Sequence, residues 1–393
     1  MLSLSDFVEC PDVLEPVPGH PGLLAMCTYQ LHSNGRKTGS VSLLGASQAS
    51  LRHLGPPLET RAIFDGRWCS FDTEIPLFLA ATQGPGLTLH SLSDEGPPTL
   101  TLVGAPWQLP PPPDSAAPVD NSSSSALCSV WLSAPGGGGE GFRCASGLSD
   151  GRVWLGCVPG DGGSLKTEAC WESHSLQGTP MEVWCAAAVD TGEGCAVAGG
   201  GGGSWAPGRA LWTGGDDGCL RFWDIRTAPP QPRSPPLSRA HTAGVTSIAP
   251  HPSFPFLVAT GGYDERLLLW DPRKMSPAGT PLGEFNLGGG VWRLAWGDKV
   301  GRPDALAAAC MYGGARVISA ISASGGGRVT SEFHGHDSAS LTYGVSWVED
   351  DLVATCAFYS KEVKLWSPSS NATPPFANVE QEEKKRRKEA NDQ

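Results

Sequence analysis

Leu211-Trp-Thr-Gly-Gly-Asp-Asp-Gly-Cys-Leu-Arg-Phe-Trp-Asp-Ile-Arg226 returns about 47 residues later as Val258-Ala-Thr-Gly-Gly-Tyr-Asp-Glu-Arg-Leu-Leu-Leu-Trp-Asp-Pro-Arg273. Both copies hold an apolar strand, a Gly-rich turn with an acidic residue, a second apolar strand and a closing Trp-Asp. That period and ending describe one four-stranded propeller blade. A single sheet cannot bury both of its faces, so such units must stack around an axis until the ring closes.

Weaker copies supply the rest of the ring. Cys144-Ala-Ser-Gly-Leu-Ser-Asp-Gly-Arg-Val-Trp154 aligns directly with the strong pair. Phe78-Leu-Ala-Ala-Thr-Gln83, Ala308-Ala-Cys-Met-Tyr-Gly-Gly-Ala-Arg-Val317, Ala354-Thr-Cys-Ala-Phe-Tyr-Ser-Lys-Glu-Val-Lys-Leu-Trp366 and the segment from Leu23 to Leu44 follow more loosely. Seven units result, near 5–51, 60–92, 124–158, 170–226, 239–273, 284–320 and 334–366. The chain therefore reads as all-β, a seven-bladed β-propeller of WD-repeat type over 1–368, with a disordered charged tail at 369–393.

Composition narrows the partners. A net charge of −12 argues against a phosphate-binding groove, because affinity for nucleic acid comes mainly from clustered Lys and Arg. No apolar run is long enough to cross a bilayer, and Met1-Leu-Ser-Leu-Ser-Asp-Phe-Val-Glu-Cys10 lacks a basic segment followed by an apolar core. The 12 cysteines form no Cys-x-x-Cys pair and several fall inside strands, as expected of reduced thiols used as small apolar residues. The cytosol is the expected compartment, with the nucleus as a second one if Lys384-Lys-Arg-Arg-Lys388 acts as an import signal; a solvated tail is the plainer reading of that run. The sequons at Asn121 and Asn371 are then unused. A Pro/Ser run at 110–125, glycine tracts at 136–139 and 199–203 and a Pro-rich stretch at 228–236 read as mobile loops.

Most polar residues of the strong copies have structural work to do. A loop His, a second-strand Thr, a turn Asp and a third-strand Trp satisfy one another as a hydrogen-bonded chain. His241, Thr260, Asp264 and Trp270 fit this pattern, as do His174, Thr213, Asp217 and Trp223. Gly147-Leu-Ser-Asp-Gly151 matches the esterase Gly-x-Ser-x-Gly pattern, but that pattern needs a strand, a strained elbow and a helix, whereas Ser149 lies in a turn between strands. His334-Gly-His336-Asp337 lacks a second ligand pair nearby, so no metal site is expected. His336 reads instead as the loop His of its own blade.

Two irregularities are not demanded by architecture. Where the strong copies have Thr-Gly-Gly, the first, sixth and seventh units have Cys27, Cys310 and Cys356, each followed by an aromatic at or near Tyr29, Tyr312 and Phe358. The turn Asp is also missing in two of these units, with Gly314 and Lys361 near its place. In a closed ring these three units are neighbours, and a sector without the usual framework residues suggests a pocket. Secondly, aligning Met181-Glu-Val-Trp-Cys185, Ala243-Gly-Val-Thr-Ser247 and Gly289-Gly-Val-Trp-Arg293 puts Trp184 and Trp292 at one equivalent position at the start of an innermost strand. Two indoles at a channel mouth are either ordinary packing or a π surface for a cation, the latter worth about 0.5–2 kcal/mol. Glu182 and Arg293 flank them with charge, and Tyr343 begins the last such strand.

Cys27-Thr-Tyr-Gln-Leu31, Gly214-Gly-Asp-Asp-Gly218, Ala259-Thr-Gly-Gly-Tyr-Asp-Glu265, Gly289-Gly-Val-Trp-Arg293, Ala308-Ala-Cys-Met311, Tyr343-Gly-Val-Ser-Trp347 and Ala354-Thr-Cys-Ala-Phe-Tyr359 together resemble the WD-repeat diphthine methyl ester hydrolases of diphthamide biosynthesis. The likeness runs in register from about residue 5 to 366. It implies a substrate: translation elongation factor two carrying methylated diphthine, a modified His with a trimethylammonium group and a methyl-esterified carboxyl. Hydrolysis would release methanol, with no cofactor and from a monomer.

The family offers no consensus triad to carry over, so roles follow from position and chemistry. Glu182 is a candidate general base, or Cys310 or Cys356 a nucleophile, with Arg293 and Tyr343 stabilising developing charge. Trp184, Trp292, Tyr29 and Tyr312 are expected to bind substrate. The Gly/Pro-rich loops are this chain's own, and the long loop expected in the last blade is short. The alternatives are a non-catalytic scaffold and a ubiquitin-ligase substrate adaptor, since function lives in the site and not in the fold.

Overall fold

Val258–Gly262 and Arg266–Trp270, the two apolar runs of the second strong copy, pair antiparallel with Val258 opposite Trp270. Glu265 turns the chain between them in the left-handed region at φ 66°, where the first copy places Gly218 at φ 71°. Val245–Pro250 adds on the inner side and Gly283–Asn286 on the outer, completing a four-stranded sheet. The computed structural model repeats this unit seven times, and the protein is a seven-bladed β-propeller of the WD-repeat type. It describes residues 1–370 apart from 6, 72, 85, 94–95, 112–123, 134–140, 160, 162, 190–209, 227–229, 233–239, 255 and 276–278. Most of the low-complexity segments, both sequons and nearly all of the charged tail lie outside the described residues.

The sheets are offset from the sequence units. Lys166–Glu172, which straddles the expected start of the fourth unit at 170, is the outer strand of the third sheet. The seventh sheet has three strands of its own, and Leu2–Leu4 supplies the fourth by pairing with Glu362–Trp366, Leu2 opposite Leu365. The two ends of the described ring are thereby laced within one blade. Between adjacent sheets lie continuous apolar layers, for example Val13, Cys27, Val41, Ile63 and Phe78 between the first and second blades. This burial of roughly 25 cal/mol per Å² of apolar surface is what holds neighbouring blades together.

The structural chains form as the sequence suggests. His174 contacts Asp217 at 2.8 Å and Thr213 at 2.9 Å, and Trp223 Nε1 donates to Thr213 Oγ1 at 3.0 Å. His241, Asp264, Thr260 and Trp270 repeat the pattern within 0.1 Å of 2.9 Å. His336 takes the loop position of the seventh blade, meeting Thr355 and Glu362 at 2.9 Å each. This corrects one expectation: the seventh blade is not relieved of its framework acid, because Glu362, one residue beyond Lys361, stands in for the turn Asp. The first blade likewise pairs Thr28 with Glu9 at 2.6 Å. Of the three odd units, only the sixth has no such acid among its described contacts.

Candidate active site

A β-bulge at the head of the inner strand recurs around the ring and decides which side chain enters the channel. Register shifts leave Asp12, Phe64, Leu127, Trp184, Thr246 and Tyr343 as the extra residue in six blades. In the sixth blade Trp292 and Arg293 both oppose Ala309, the former through an N–H···O bond of 2.8 Å. An extra residue is re-aimed by the bend of its strand, and this one device recurs in all seven blades.

Five of these seven meet others across the mouth. Trp184 and Trp292, from blades that are not adjacent, pack edge to face at 5.5 Å. Trp292 stacks on Tyr343 at 4.8 Å and an interplanar angle of 26°. Tyr263, from the turn of the intervening blade, closes on Trp184 at 6.4 Å and on Trp292 at 6.0 Å. The series continues through Phe358, 5.3 Å from Tyr343, to Tyr29 at 4.7 Å and Phe64 at 5.3 Å. The indoles therefore touch, and a cation cannot lie between them. They form one half-buried aromatic platform at the mouth.

Beneath the platform the channel is crossed by charge. Arg293 donates through Nη1 to Asp65 at 2.8 Å, through Nη2 to Asp12 at 3.1 Å and to the Phe64 carbonyl at 2.8 Å, and through Nε to the Asp12 carbonyl at 3.3 Å. Burial raises the Asp12 carboxyl above its ordinary value despite Arg293 and the Trp292 N–H, which donates to it at 3.2 Å. Burial would do the same to Asp65, but Arg67, Arg293 and the Ser129 N–H together hold it low. On the far side of this girdle lies a cavity of about 680 Å³, lined by Glu15, Arg67, Arg293, Trp296 and Val345 among others. None of the platform rings lines it.

The sequence-derived residues fare unequally. Trp184, Trp292, Tyr29 and Tyr343 come together at the mouth. Glu182 lies two residues before Trp184, half-buried, its backbone carbonyl accepting from the Asp216 N–H at 2.9 Å. Its carboxylate makes no hydrogen bond or ion pair among the described residues, and its charge reaches the Tyr263 hydroxyl. Burial first, then the charge of Asp12, pushes the Tyr343 phenol far up, so it stays a proton donor.

Arg293 is a correction: four hydrogen bonds commit its guanidinium to the girdle, leaving it a poor partner for charge developing on a substrate. Tyr312 stands apart from the platform, 65% exposed in the turn between the second and third strands of the sixth blade with no ring partner among the described residues. Its neighbour Met311 packs against the cluster of Cys10, Leu341 and Phe358, which Tyr29 and Tyr343 also border.

The three cysteines do not share a pocket. Cys27, Cys310 and Cys356 are each fully buried, in three different layers between blades. Burial pushes the Cys310 thiol up to about 12 and raises those of Cys27 and Cys356 as well, so none is a thiolate near neutrality. Volume explains them. Cys356 pairs with Gly344, where a Cβ would lie 2.5 Å from its sulfur, so a large second-strand residue is matched by a small inner-strand one.

Ser149 is held in its turn by the Ser125 N–H at 2.8 Å. His336 serves its blade, while His334 faces Glu332 at 3.3 Å. Asp12, Tyr263 and Phe64 are mouth residues that the sequence reading missed, while Phe358, noted there as one of the aromatics after the odd cysteines, joins them. Asp12 and Phe64 hold the same bulge position as Trp184, but Pro11-Asp12 and Ile63-Phe64 share no letters with Val183-Trp184 at the aligned positions.

Comparison with known proteins agrees with the fold and points to a pathway. The family model described as WD domain, G-beta repeat, matches residues 234–271. The chain is 32% identical over 211 residues to human diphthine methyltransferase, covering 53% of this chain and 40% of the relative. It is 27% identical over 361 residues to mouse diphthine methyltransferase, covering 84% of this chain and 65% of that one. The aligned parts thus span less than two thirds of either relative. Among solved structures, Chaetomium thermophilum Sqt1 bound to the N-terminus of ribosomal protein L10 superposes with a TM-score of 0.60 at 13% identity, over 93% of this chain and 98% of that one. At that identity the likeness concerns the fold alone.

Proposed function

We propose that this protein acts in diphthamide biosynthesis by hydrolysing the methyl ester of methylated diphthine on translation elongation factor two. The observation that carries this reading is a half-buried carboxylate, Glu182, without a hydrogen-bond or ion-pair partner among the described residues and set beside an aromatic platform at the mouth of the ring. The relatives named diphthine methyltransferase support the pathway and the modified residue as substrate. Their name also supplies the second reading, methyl transfer at the same residue.

In the hydrolytic reading the trimethylammonium group rests on the faces of Trp184, Trp292 and Tyr343, which attract a cation that cannot donate a hydrogen bond. Glu182 removes a proton from water as its oxygen attacks the ester carbonyl, and the protonated Tyr343 hydroxyl donates to the oxygen that gains charge. The tetrahedral intermediate then expels the methoxy group, which takes the proton from Glu182 and leaves as methanol, freeing the acid for amidation. Cys310 and Cys356 take no part. The reaction is placed in the cytosol, where elongation factor two works.

Purified protein incubated with elongation factor two bearing methylated diphthine is expected to release methanol, and Glu182→Gln to slow that release by about 100-fold or more. Full activity in Glu182→Gln would remove Glu182 from the mechanism. No methanol from the folded wild type, with subunits that copurify stably, would favour the scaffold or adaptor reading.

A further inference from the structure

The edges of both platform indoles end on carboxylates. Trp292 Nε1 donates to Asp12 Oδ1 at 3.2 Å, and Trp184 Nε1 donates to Asp216 Oδ1 at 3.3 Å. The acids come from unrelated places: Asp12 from the bulge of the first blade, Asp216 from the turn of the fourth. Each indole therefore has an anion close to its own plane, at the end of its N–H bond.

An indole N–H that donates to a carboxylate gains electron density in the ring, and the anion adds a direct attraction for a cation above the face. Glu182 lies on the same side of the mouth, close enough for its charge to act with that of Asp216 on Tyr263. Arg293 faces Asp12 and Asp65, and Arg67 shares Asp65, so Asp12 is partly compensated, whereas Asp216 has no ion pair among the described residues. The platform is thus an aromatic surface edged by carboxylates.

We propose that Asp216 and Asp12 are positioning residues for a cation, acting through Trp184 and Trp292 to make the platform select a quaternary ammonium over a neutral group of the same shape. This rests on the reading that the platform receives the trimethylammonium group, and it assigns the charge selectivity of that site to two acids that need not touch the ligand. Neutral tert-butyl and cationic trimethylammonium groups are nearly equal in size, so packing alone accepts both. Charge at the ring edges distinguishes them.

Asp216 allows the clean test, because Asn keeps an oxygen for the Trp184 N–H while removing the charge; Asp12 also holds Arg293. Binding of choline and of its uncharged carbon isostere, 3,3-dimethylbutanol, would be measured by tryptophan fluorescence for wild type and Asp216→Asn. Wild type is expected to prefer choline. Asp216→Asn is expected to lose about five- to tenfold in choline affinity, the effect of one unit charge several ångströms away in a half-buried site, and less than twofold for the isostere.

A purely structural role for Asp216 would lower both affinities together, and an unchanged choline preference in the variant would also overturn the proposal. Wild type that binds both probes equally would overturn it along with the platform reading. Unaltered melting temperature and Trp184→Phe, which keeps a face but loses the N–H link, serve as controls; Trp184→Phe is expected to reduce the choline preference without abolishing binding of the isostere.

Discussion

Cys310, Cys356 and Glu182 show how a residue's chemistry is decided by where its side chain ends. All three qualify by type, but the two thiols are fully buried and held protonated, whereas the carboxylate is half-buried and has no hydrogen-bond or ion-pair partner among the described residues. Cys310→Ala and Cys356→Ala are accordingly expected to keep methanol release within about threefold of wild type while losing about 1–2 kcal/mol of stability from the cavities they leave. Loss of turnover in either variant with normal stability would restore the thiol mechanism. The sequence marks these cysteines as odd only because the strong copies have Gly at the same place. What it does not show is the compensating Gly344 opposite Cys356, a relation between strands that no single segment displays.

Within a blade, polar residues earn their place through partners on neighbouring strands. The His-Thr-Asp-Trp chains are legible because two copies present the same letters at the same spacing, and Glu362 escapes notice because it opens the third strand, seven residues after Thr355, where Asp264 lies in the turn four residues after Thr260. His90 in the second blade is the unbalanced case. It is fully buried, with Nε2 on Thr88 at 3.0 Å and Nδ1 without a partner, and burial lowers it from its ordinary value to about 4.

A folded value below the unfolded one means that neutral His90 favours the native state at higher pH. That advantage is complete above the unfolded value near 6.5 and falls away as pH drops towards about 4, because the unfolded chain binds the proton first. Denaturant unfolding at about pH 7.5 and about pH 4.5 is expected to show wild type losing roughly 2–3 kcal/mol more than His90→Gln over that interval. Equal losses would mean that His90 is not the acid-sensitive group.

Across the whole ring, the repeat count was readable from sequence while the meeting point of the blades was not. Seven units follow from the period of the apolar strands. Leu2–Leu4 is too short to carry a strand signal, and the girdle joins Asp12, Asp65 and Arg293, whose sequence separations reach 281 residues. The bulge explains the mixture: Trp184 and Trp292 were found because they share a local motif, and Asp12 and Phe64 were missed because only the backbone makes them equivalent.

Arg293 spans the channel to two blades at once, so Arg293→Met should leave two nearly buried carboxylates without their shared cation and cost about 3–5 kcal/mol. Denaturant unfolding measures this, and a loss below about 1 kcal/mol would show that the girdle does not brace the ring.

The hydrolytic reading is decided by the mass of the modified histidine peptide from elongation factor two before and after incubation with the protein in water enriched in heavy oxygen. Hydrolysis by attack of water at the carbonyl predicts loss of one methylene with the heavy oxygen in the new carboxyl group and none in the methanol. Gain of a methylene, or an unchanged mass in the presence of folded protein, would contradict it.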